Sequence, residues 1–156
     1  KAGKRPFAVA LSPDNNFLYV ANVKSNDVSV FDTKNYKKIT TIKVGKSPYA
    51  ITFLQDGSKA FVTNQHENTI SIIDTLNKKN IKTLEIGEYP EGINFYIKTK
   101  EVLIVNWFDS EVVVLNSMNL NIKKRITVGE GPRGFGNFIG PNLTKNWNIV
   151  YKNNCG

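Results

Sequence analysis

Short apolar runs rich in β-branched residues recur at a constant distance along this chain. Residues 28–31, 70–73 and 112–115 are three such runs, and polar residues typical of turns stand on both sides of each. Side chains branched at Cβ favour strands, and runs this short between turn residues are typical of strands rather than helices. The pattern predicts a chain composed of β-strands.

Residues that mark the ends of these runs recur every 42 residues. A Gly-x-x-Pro sequence opens each repeat, and an asparagine closes the second of its four apolar runs. The glycines are Gly3, Gly45, Gly87 and Gly129, and the asparagines are Asn22, Asn64 and Asn106. Glycine permits backbone conformations that other residues resist, and proline, which lacks an N–H, separates one strand from the next. Four strands per repeat are therefore predicted.

A period of about 40 to 50 residues with four short strands is typical of a β-propeller blade. We therefore predict an all-β fold, a β-propeller segment of four-stranded antiparallel blades. Three full repeats would be followed by a closing inner strand and a carboxy-terminal tail. The repeats are 3–44, 45–86 and 87–128, the inner strand is 129–139, and the blade region 1–139 precedes the tail 140–156.

Three blades leave a propeller ring open, because closed rings have about four to eight blades. A single blade cannot bury both apolar faces of its sheet, so the two ends of the arc need to be covered. The absence of an initiator Met favours the carboxy-terminal part of a longer polypeptide, whose upstream blades would complete the ring. The alternative is that two copies of the chain associate into one ring.

The sequences around the repeated asparagine resemble a known repeat. YVAN at 19–22, FVTN at 61–64 and IVN at 104–106 are similar to the YVTN β-propeller repeat, as is the SPD sequence at 12–14. The resemblance covers about residues 3–139 and implies an extracytoplasmic location: periplasmic, secreted or at the cell surface. Similar propellers occur in amine dehydrogenase heavy chains, haem d1 nitrite reductases and nitrous oxide reductases. The resemblance therefore also agrees with a cofactor-dependent enzyme.

The charge of the chain does not point to nucleic acid. The formal net charge is +8, and basic clusters at 37–38, 78–79 and 123–125 are predicted at the turn between the third and fourth strands of each repeat. Charged residues at such positions keep edge strands from pairing with other chains. Because no nucleic-acid-binding motif accompanies them, we predict no nucleic-acid partner. No apolar run approaches the ~20 residues of a transmembrane helix.

Few residues suit catalysis or metal binding. The chain has one His and one Cys, whereas a metal site needs several converging ligands. The solitary Cys155 leaves open a free thiol, a disulfide to a missing segment and an intermolecular disulfide. The G-x-G-x-x-G sequence at 129–134 falls in an inter-blade turn, without the helix that a dinucleotide site requires. We therefore predict no catalytic residue, no metal site and no cofactor in this chain.

Function is expected where the repeats differ. The turn before each inner strand and the loop after each repeated asparagine are predicted on one face, around the channel mouth. The candidate ligand-binding or partner-binding residues there are Arg5, Tyr49, His66, Tyr89, Glu91, Trp107, Phe108 and Arg133. An aromatic pair such as Trp107 and Phe108 fits two interpretations, docking of a partner and packing over the blade.

Two classes of function agree with this pattern. The first is a non-enzymatic secreted or cell-envelope scaffold that binds a protein, a glycan or a small ligand through this face. The second is part of a cofactor-dependent periplasmic oxidoreductase or electron-transfer propeller of the quinoprotein or haem d1 type, with further ligands from missing blades. The absence of catalytic motifs favours the first.

Overall fold

The computed structural model describes residues 1–134 of the chain. Twelve β-strands and no helix occupy this part. The strands are β1 (Pro6–Leu11), β2 (Phe17–Asn22), β3 (Asp27–Asp32), β4 (Lys38–Lys43), β5 (Pro48–Phe53), β6 (Lys59–Asn64), β7 (Thr69–Asp74), β8 (Lys79–Glu85), β9 (Pro90–Tyr96), β10 (Glu101–Asn106), β11 (Glu111–Asn116) and β12 (Ile122–Thr127). Residues 135–139 of the predicted closing strand, the tail and Cys155 lie outside the described residues.

Each repeat forms one four-stranded antiparallel sheet. The first blade is β1 to β4, the second β5 to β8 and the third β9 to β12, with strands adjacent in sequence paired in order. In the first blade, for example, Val20 pairs with Val9 on one side and with Ser29 on the other. The predicted all-β fold and its four-stranded antiparallel blades are confirmed.

Two apolar cores lie between neighbouring blades. The core between the first and second blades consists of Tyr19, Val28, Val30, Ile42, Ala60, Val62 and Ile73. The core between the second and third blades consists of Leu54, Phe61, Ile70, Ile72, Ile86, Ile93, Val102, Ile104, Val113 and Leu115. The sheet of the second blade therefore buries both of its faces, because side chains alternate between the two sides of a strand.

The outer blades of the arc keep apolar side chains in solvent. On the first blade, Val9 is 67% exposed, and a groove on its free face is lined by Leu11, Leu18 and Phe31. These positions correspond to second-blade residues that the first blade covers. The arc of three blades is thus an open part of a propeller.

Hydrogen bonds hold the repeated asparagine against the third strand of its blade. The Asn64 Nδ2 group donates to the hydroxyls of Thr69 and Ser71, both at 2.9 Å. In the first blade, Asn22 Nδ2 donates to Asp27 Oδ1 and to Ser29, while Asn22 Oδ1 accepts the Gly3 N–H at 3.1 Å. These bonds hold each asparagine against the third strand of its blade, and in the first blade they also tie the turn before the inner strand to the sheet.

Close approach, rather than backbone conformation, explains the glycine of the first two repeats. A Cβ atom at Gly45 would lie 2.6 Å from Asn64 Cγ, well inside van der Waals contact. Among the described repeat-opening glycines, only Gly87 has a positive φ, at 132°. The expectation that this glycine serves an unusual backbone conformation is therefore right for Gly87 and wrong for Gly3 and Gly45.

The third basic cluster, at 123–125, lies in a strand and not in a turn. It belongs to β12, the outer strand of the third blade. Two of its members pair with acidic residues of the third blade, Lys123 with Glu101 and Arg125 with Glu111. The prediction of a turn was wrong here because this cluster begins two residues later in its repeat than the first cluster does. Part of its charge is therefore neutralised within the sheet.

Candidate functional site

One side of the arc is formed by the inter-blade turns and by the loops after β2, β6 and β10, and we call it the mouth face. In each blade a loop N–H donates to a carbonyl of the preceding inter-blade turn. The three bonds are Val23 to Arg5, Gln65 to Ser47 and Trp107 to Tyr89, at 3.0, 3.0 and 3.1 Å. Residues far apart in sequence therefore lie side by side on this face.

The inter-blade turns share a left-handed residue. Arg5, Ser47, Tyr89 and Gly131 stand at the same repeat position, with φ of 55°, 55°, 58° and 58°. A Cβ atom at Gly131 would lie 2.6 Å from Trp107 Nε1. The Trp107 indole thus occupies space at the fourth turn, where the other repeats carry a side chain. Trp107 therefore packs against the fourth inter-blade turn.

Four side chains of the second and third blades form an aromatic cluster: His66, Tyr89, Trp107 and Phe108. The Tyr89 ring is central, with centroid distances of 5.3 Å to His66, 5.3 Å to Trp107 and 4.7 Å to Phe108. Trp107 and Phe108 stack at 4.8 Å. Phe108 is nevertheless 60% exposed, so the cluster presents a large apolar ring to solvent.

Both ring nitrogens of His66 have hydrogen-bonding partners. Nδ1 lies 2.6 Å from the Ser47 hydroxyl, and Nε2 lies 3.3 Å from the Tyr89 hydroxyl. The two partners belong to successive inter-blade turns. His66 therefore links the turns before the second and third blades and fixes the orientation of Tyr89.

A buried carboxylate lies beside the cluster. Glu91 is 2% exposed; its Oε1 accepts a hydrogen bond from the Gln65 amide at 2.9 Å, and its Oε2 has no hydrogen-bond donor among the described residues. Burial raises the pKa of Glu91 above its usual value, while the positive charge of Arg133 and the Gln65 hydrogen bond act in the opposite direction. An incompletely satisfied buried carboxylate is costly for a fold and is often found at functional sites.

Arg133 connects the carboxylate to the aromatic cluster. Its Cζ atom lies 4.5 Å from the centroid of the Trp107 ring, within the range of a cation–π contact. Its Nε lies 3.8 Å from Glu91 Oε2, which is an ion pair without a hydrogen bond. The guanidinium thus lies between an aromatic ring and a buried negative charge.

The residue after each proline lies beside the inter-blade turn on the mouth face. Phe7, Tyr49, Glu91 and Arg133 occupy this position in successive repeats. The rings of Phe7 and Tyr49 lie 4.3 Å apart at a tilt of 32°, and burial, followed by the negative charge of Glu91, raises the pKa of Tyr49. Neighbouring blades therefore place these four side chains in a row, from aromatic to acidic to basic.

Contacts connect most of the predicted site residues. One continuous chain of contacts joins six of them: His66, Tyr89, Trp107, Phe108, Arg133 and Glu91. The negative charge of Glu91 also raises the pKa of Tyr49. Arg5 lies apart from them, exposed at the turn before the first blade. Whether these residues bind a ligand stays a prediction.

Two residues of the site, Gln65 and Ser47, were not among those predicted from the sequence. Gln65 orients Glu91, and Ser47 orients His66. A signal does exist for Gln65: it stands 26 residues before Glu91, just as Trp107 stands 26 residues before Arg133. Such pairs between adjacent blades become visible only once the curvature of the arc is known.

We expect Glu91→Gln to change how stability depends on pH. Because the pKa of Glu91 is raised in the folded chain, the folded state binds the proton more tightly than the unfolded state. Wild-type stability should therefore fall as pH rises from about 4.5 through the raised pKa of the folded chain. The Glu91→Gln variant should lack this fall in urea denaturation between about pH 4 and pH 8.

Glu101→Gln is the matched control with the opposite sign. Hydrogen bonds from Lys123 and Thr99 lower the pKa of Glu101. This carboxylate contributes stability above its unfolded pKa, and that contribution is lost as pH falls. The difference between wild type and Glu101→Gln should therefore shrink toward low pH. Parallel pH profiles for wild type and Glu91→Gln would contradict the assignment of a raised pKa to Glu91.

Comparison with solved structures identifies the fold. A chain of Kuenenia stuttgartiensis hydrazine synthase superposes with a TM-score of 0.79 and 24% identity, covering 83% of this chain and 38% of that one. U3-55K gives a TM-score of 0.73 at 13% identity, covering 80% of this chain and 39% of that one. NirN, a dihydro-heme d1 dehydrogenase in complex with DHE, gives 0.69 at 16% identity, covering 81% and 29%.

These likenesses are those of a fold, since all are below 25% identity, and this chain spans less than two fifths of each of these proteins. A search of curated proteins gave no significant match. Residues 1–134 contain no helix suited to spanning a bilayer. A family model, YNCE-like beta-propeller, matches residues 1–139. With most of its length matched, the chain belongs to the YNCE-like β-propeller family.

Proposed function

We propose that this chain is a non-enzymatic binding scaffold that uses the mouth face to hold a protein, a glycan or a small ligand. The observation that carries the proposal is the aromatic cluster, with Phe108 60% exposed next to the buried carboxylate of Glu91. Aromatic side chains that combine a fixed orientation with an exposed face are typical of binding hot spots.

Hydrogen bonds to the sheets hold the loops of this cluster in place. Asn64 and Asn106 precede the loops that carry His66 and Trp107, and both asparagines donate to neighbouring strands or turns. Binding residues on loops that a rigid sheet positions lose little entropy when a ligand arrives. The mouth-face residues differ between repeats, whereas the asparagines that hold their loops recur in each repeat. This combination suits recognition of a specific ligand.

The Ser47 and His66 pair supports a binding role better than a catalytic one. A hydroxyl bonded to an imidazole suggests an activated nucleophile, which also needs an orienting group and N–H donors for an oxyanion. Here the second nitrogen of His66 faces a tyrosine hydroxyl, and the Ser47 N–H is bonded to Asn26 Oδ1 at 3.0 Å. The Lys46 N–H is bonded to Glu67.

We further propose that additional blades cover the free faces of the first and third blades, supplied by upstream sequence or by a second copy of the chain. The apolar groove beside Leu11, Leu18 and Phe31 supports this, because each equivalent face inside the arc packs against a neighbouring sheet. The resemblance to YVTN repeats supports a periplasmic, secreted or cell-surface location. The oxidoreductase alternative has no observation in its favour beyond the shared fold.

The test uses one exposed side chain on each side of the arc. A labelled chain is applied to a glycan array and a peptide array as wild type, as Phe108→Ala and as Leu76→Ala. Leu76 is 84% exposed in the turn between β7 and β8, away from the mouth face. We expect Phe108→Ala to weaken array binding about tenfold or more, as hot-spot residues do.

Leu76→Ala should leave binding unchanged, and both variants should retain the wild-type melting temperature, since neither side chain is buried. Equal losses in the two variants would contradict the proposed function, and no wild-type signal on either array would contradict a glycan or peptide ligand.

A further inference from the structure

We propose that the mouth face contains a binding site for a guanidinium cation, formed by Glu91 and Trp107, and that Arg133 is its internal occupant. The inference rests on the proposed function and names the chemistry of its ligand: an arginine side chain or a small alkylguanidine.

Glu91 offers an acceptor that residues 1–134 leave incompletely used. Its carboxylate is almost wholly buried, and Oε1 accepts a hydrogen bond from Gln65. Oε2, in contrast, has no donor within residues 1–134. Removing a carboxylate oxygen from water without a hydrogen bond is unfavourable, so a donor brought by a ligand would be strongly favoured at this atom.

Arg133 shows which kind of group the site accepts. Its guanidinium covers the Trp107 ring at 4.5 Å, and its charge lies beside Glu91. The fit is loose, however: Nε and Oε2 are 3.8 Å apart, whereas charge-assisted hydrogen bonds measure about 2.7–2.9 Å. The Arg133 side chain is also 47% exposed. A guanidinium free of the main chain can approach Glu91 more closely than Arg133 does.

The surrounding charges favour a cation at this end of the mouth face. Acidic residues cluster on the turns and loops near Trp107, whereas basic residues occupy the first blade and, as Lys46, the turn before the second blade. The acidic residues are Glu67, Glu88, Asp109 and Glu130, and the basic ones are Lys4, Arg5 and Lys24. A cationic ligand would therefore be drawn toward Glu91 despite the positive net charge of the chain.

A guanidinium also suits the aromatic cluster better than a sugar does. Phe108 and Arg133 already lie against the Trp107 ring, so the flat face of a sugar would have to displace one of them. An uncharged sugar would not replace the positive charge that Arg133 supplies. A guanidinium simply replaces the one that is present. The exposed ring of Phe108 then lies where the alkyl stem of the ligand can pack.

The experiment measures binding of agmatine, an alkylguanidine without a carboxylate, through the fluorescence of Trp107. Trp147→Phe is introduced in every variant, which leaves Trp107 as the sole tryptophan, because the chain has two. We expect a saturable change in Trp107 emission. Arg133→Ala should bind agmatine about tenfold more tightly, since an internal competitor that fills the site most of the time has been removed.

Two further variants separate the site from general electrostatics. Glu91→Gln should weaken agmatine binding by about tenfold or more through loss of the charge-assisted bond. Lys24→Ala removes the same charge as Arg133→Ala from the same face, at the first blade, and should leave the affinity unchanged. Arg133 is exposed, so its variant is expected to fold, and its melting temperature checks this.

The ligand arms distinguish the sources of the guanidinium. Tighter binding of Gly-Arg-Gly amide than of agmatine would assign the site to arginine in a peptide, and the reverse to a small guanidine. Methyl glucoside should not bind. Unchanged or weaker agmatine binding by Arg133→Ala, or binding of methyl glucoside alone, would overturn the guanidinium site. Array binding that depends on Phe108 would in that case still support the scaffold role.

Discussion

Replacing Phe61 with Ala should lower the free energy of unfolding by about 3–5 kcal/mol, the usual loss for a fully buried aromatic side chain. Phe61 is 0% exposed and belongs to the core between the second and third blades. On β6 it pairs with Thr52 and Ile72, so sheet hydrogen bonds hold the surrounding backbone in place. A cavity left there has little freedom to collapse. Urea denaturation of the chain measures the loss.

The matched control is Leu103→Ala. Leu103 stands 42 residues later, at the same repeat position, but in the third blade, where it is only half-buried. We expect a loss of about 1 kcal/mol, because part of the side chain is already in water. Similar losses for both variants would contradict the claim that contact between blades, rather than strand propensity at this position, stabilises the arc.

The repeat explains why the fold was predictable. A strand assigned in one blade is supported by the same pattern in two others, so errors at single residues cancel. The substitution of SPD at 12–14 by Tyr96-Ile97-Lys98 illustrates this, since β9 and β10 form with the expected register despite the changed turn. What the repeat did not reveal was the physical reason for its own landmarks, such as the contact between Gly45 and Asn64.

The candidate site was predictable only in outline. Alternation of strand direction placed Tyr89, Glu91 and Trp107 on one face, because that depends on topology alone. Burial of Glu91 and its contacts with Gln65 and Arg133 depend on how adjacent blades are inclined, which no local pattern encodes. Arg5 was selected by the same topological reasoning, yet it lies at the other end of the described arc.

Gly87→Ala is expected to destabilise the chain by about 2–5 kcal/mol. Gly87 has a φ of 132°, a conformation that residues with a Cβ rarely adopt, and strain of this kind is worth about 1–3 kcal/mol. The new methyl group would also lie 2.5 Å from Asp109 Oδ2 and 3.0 Å from Asn106 Cγ. Overpacking at such distances adds about 1–3 kcal/mol.

Relief of that overlap would disturb the mouth face as well. Asn106 is held by hydrogen bonds to Ile86 O and Glu111, and Asp109 accepts the Glu88 N–H, so neither side chain can move without losing a partner. Gly129→Ala is the matched control at the same repeat position, where a Cβ atom would meet no other atom of residues 1–134 within 4 Å. Its effect should stay within about 0.5 kcal/mol. Equal melting temperatures for the two variants would contradict the claim that backbone conformation and close neighbours exclude a Cβ atom at Gly87.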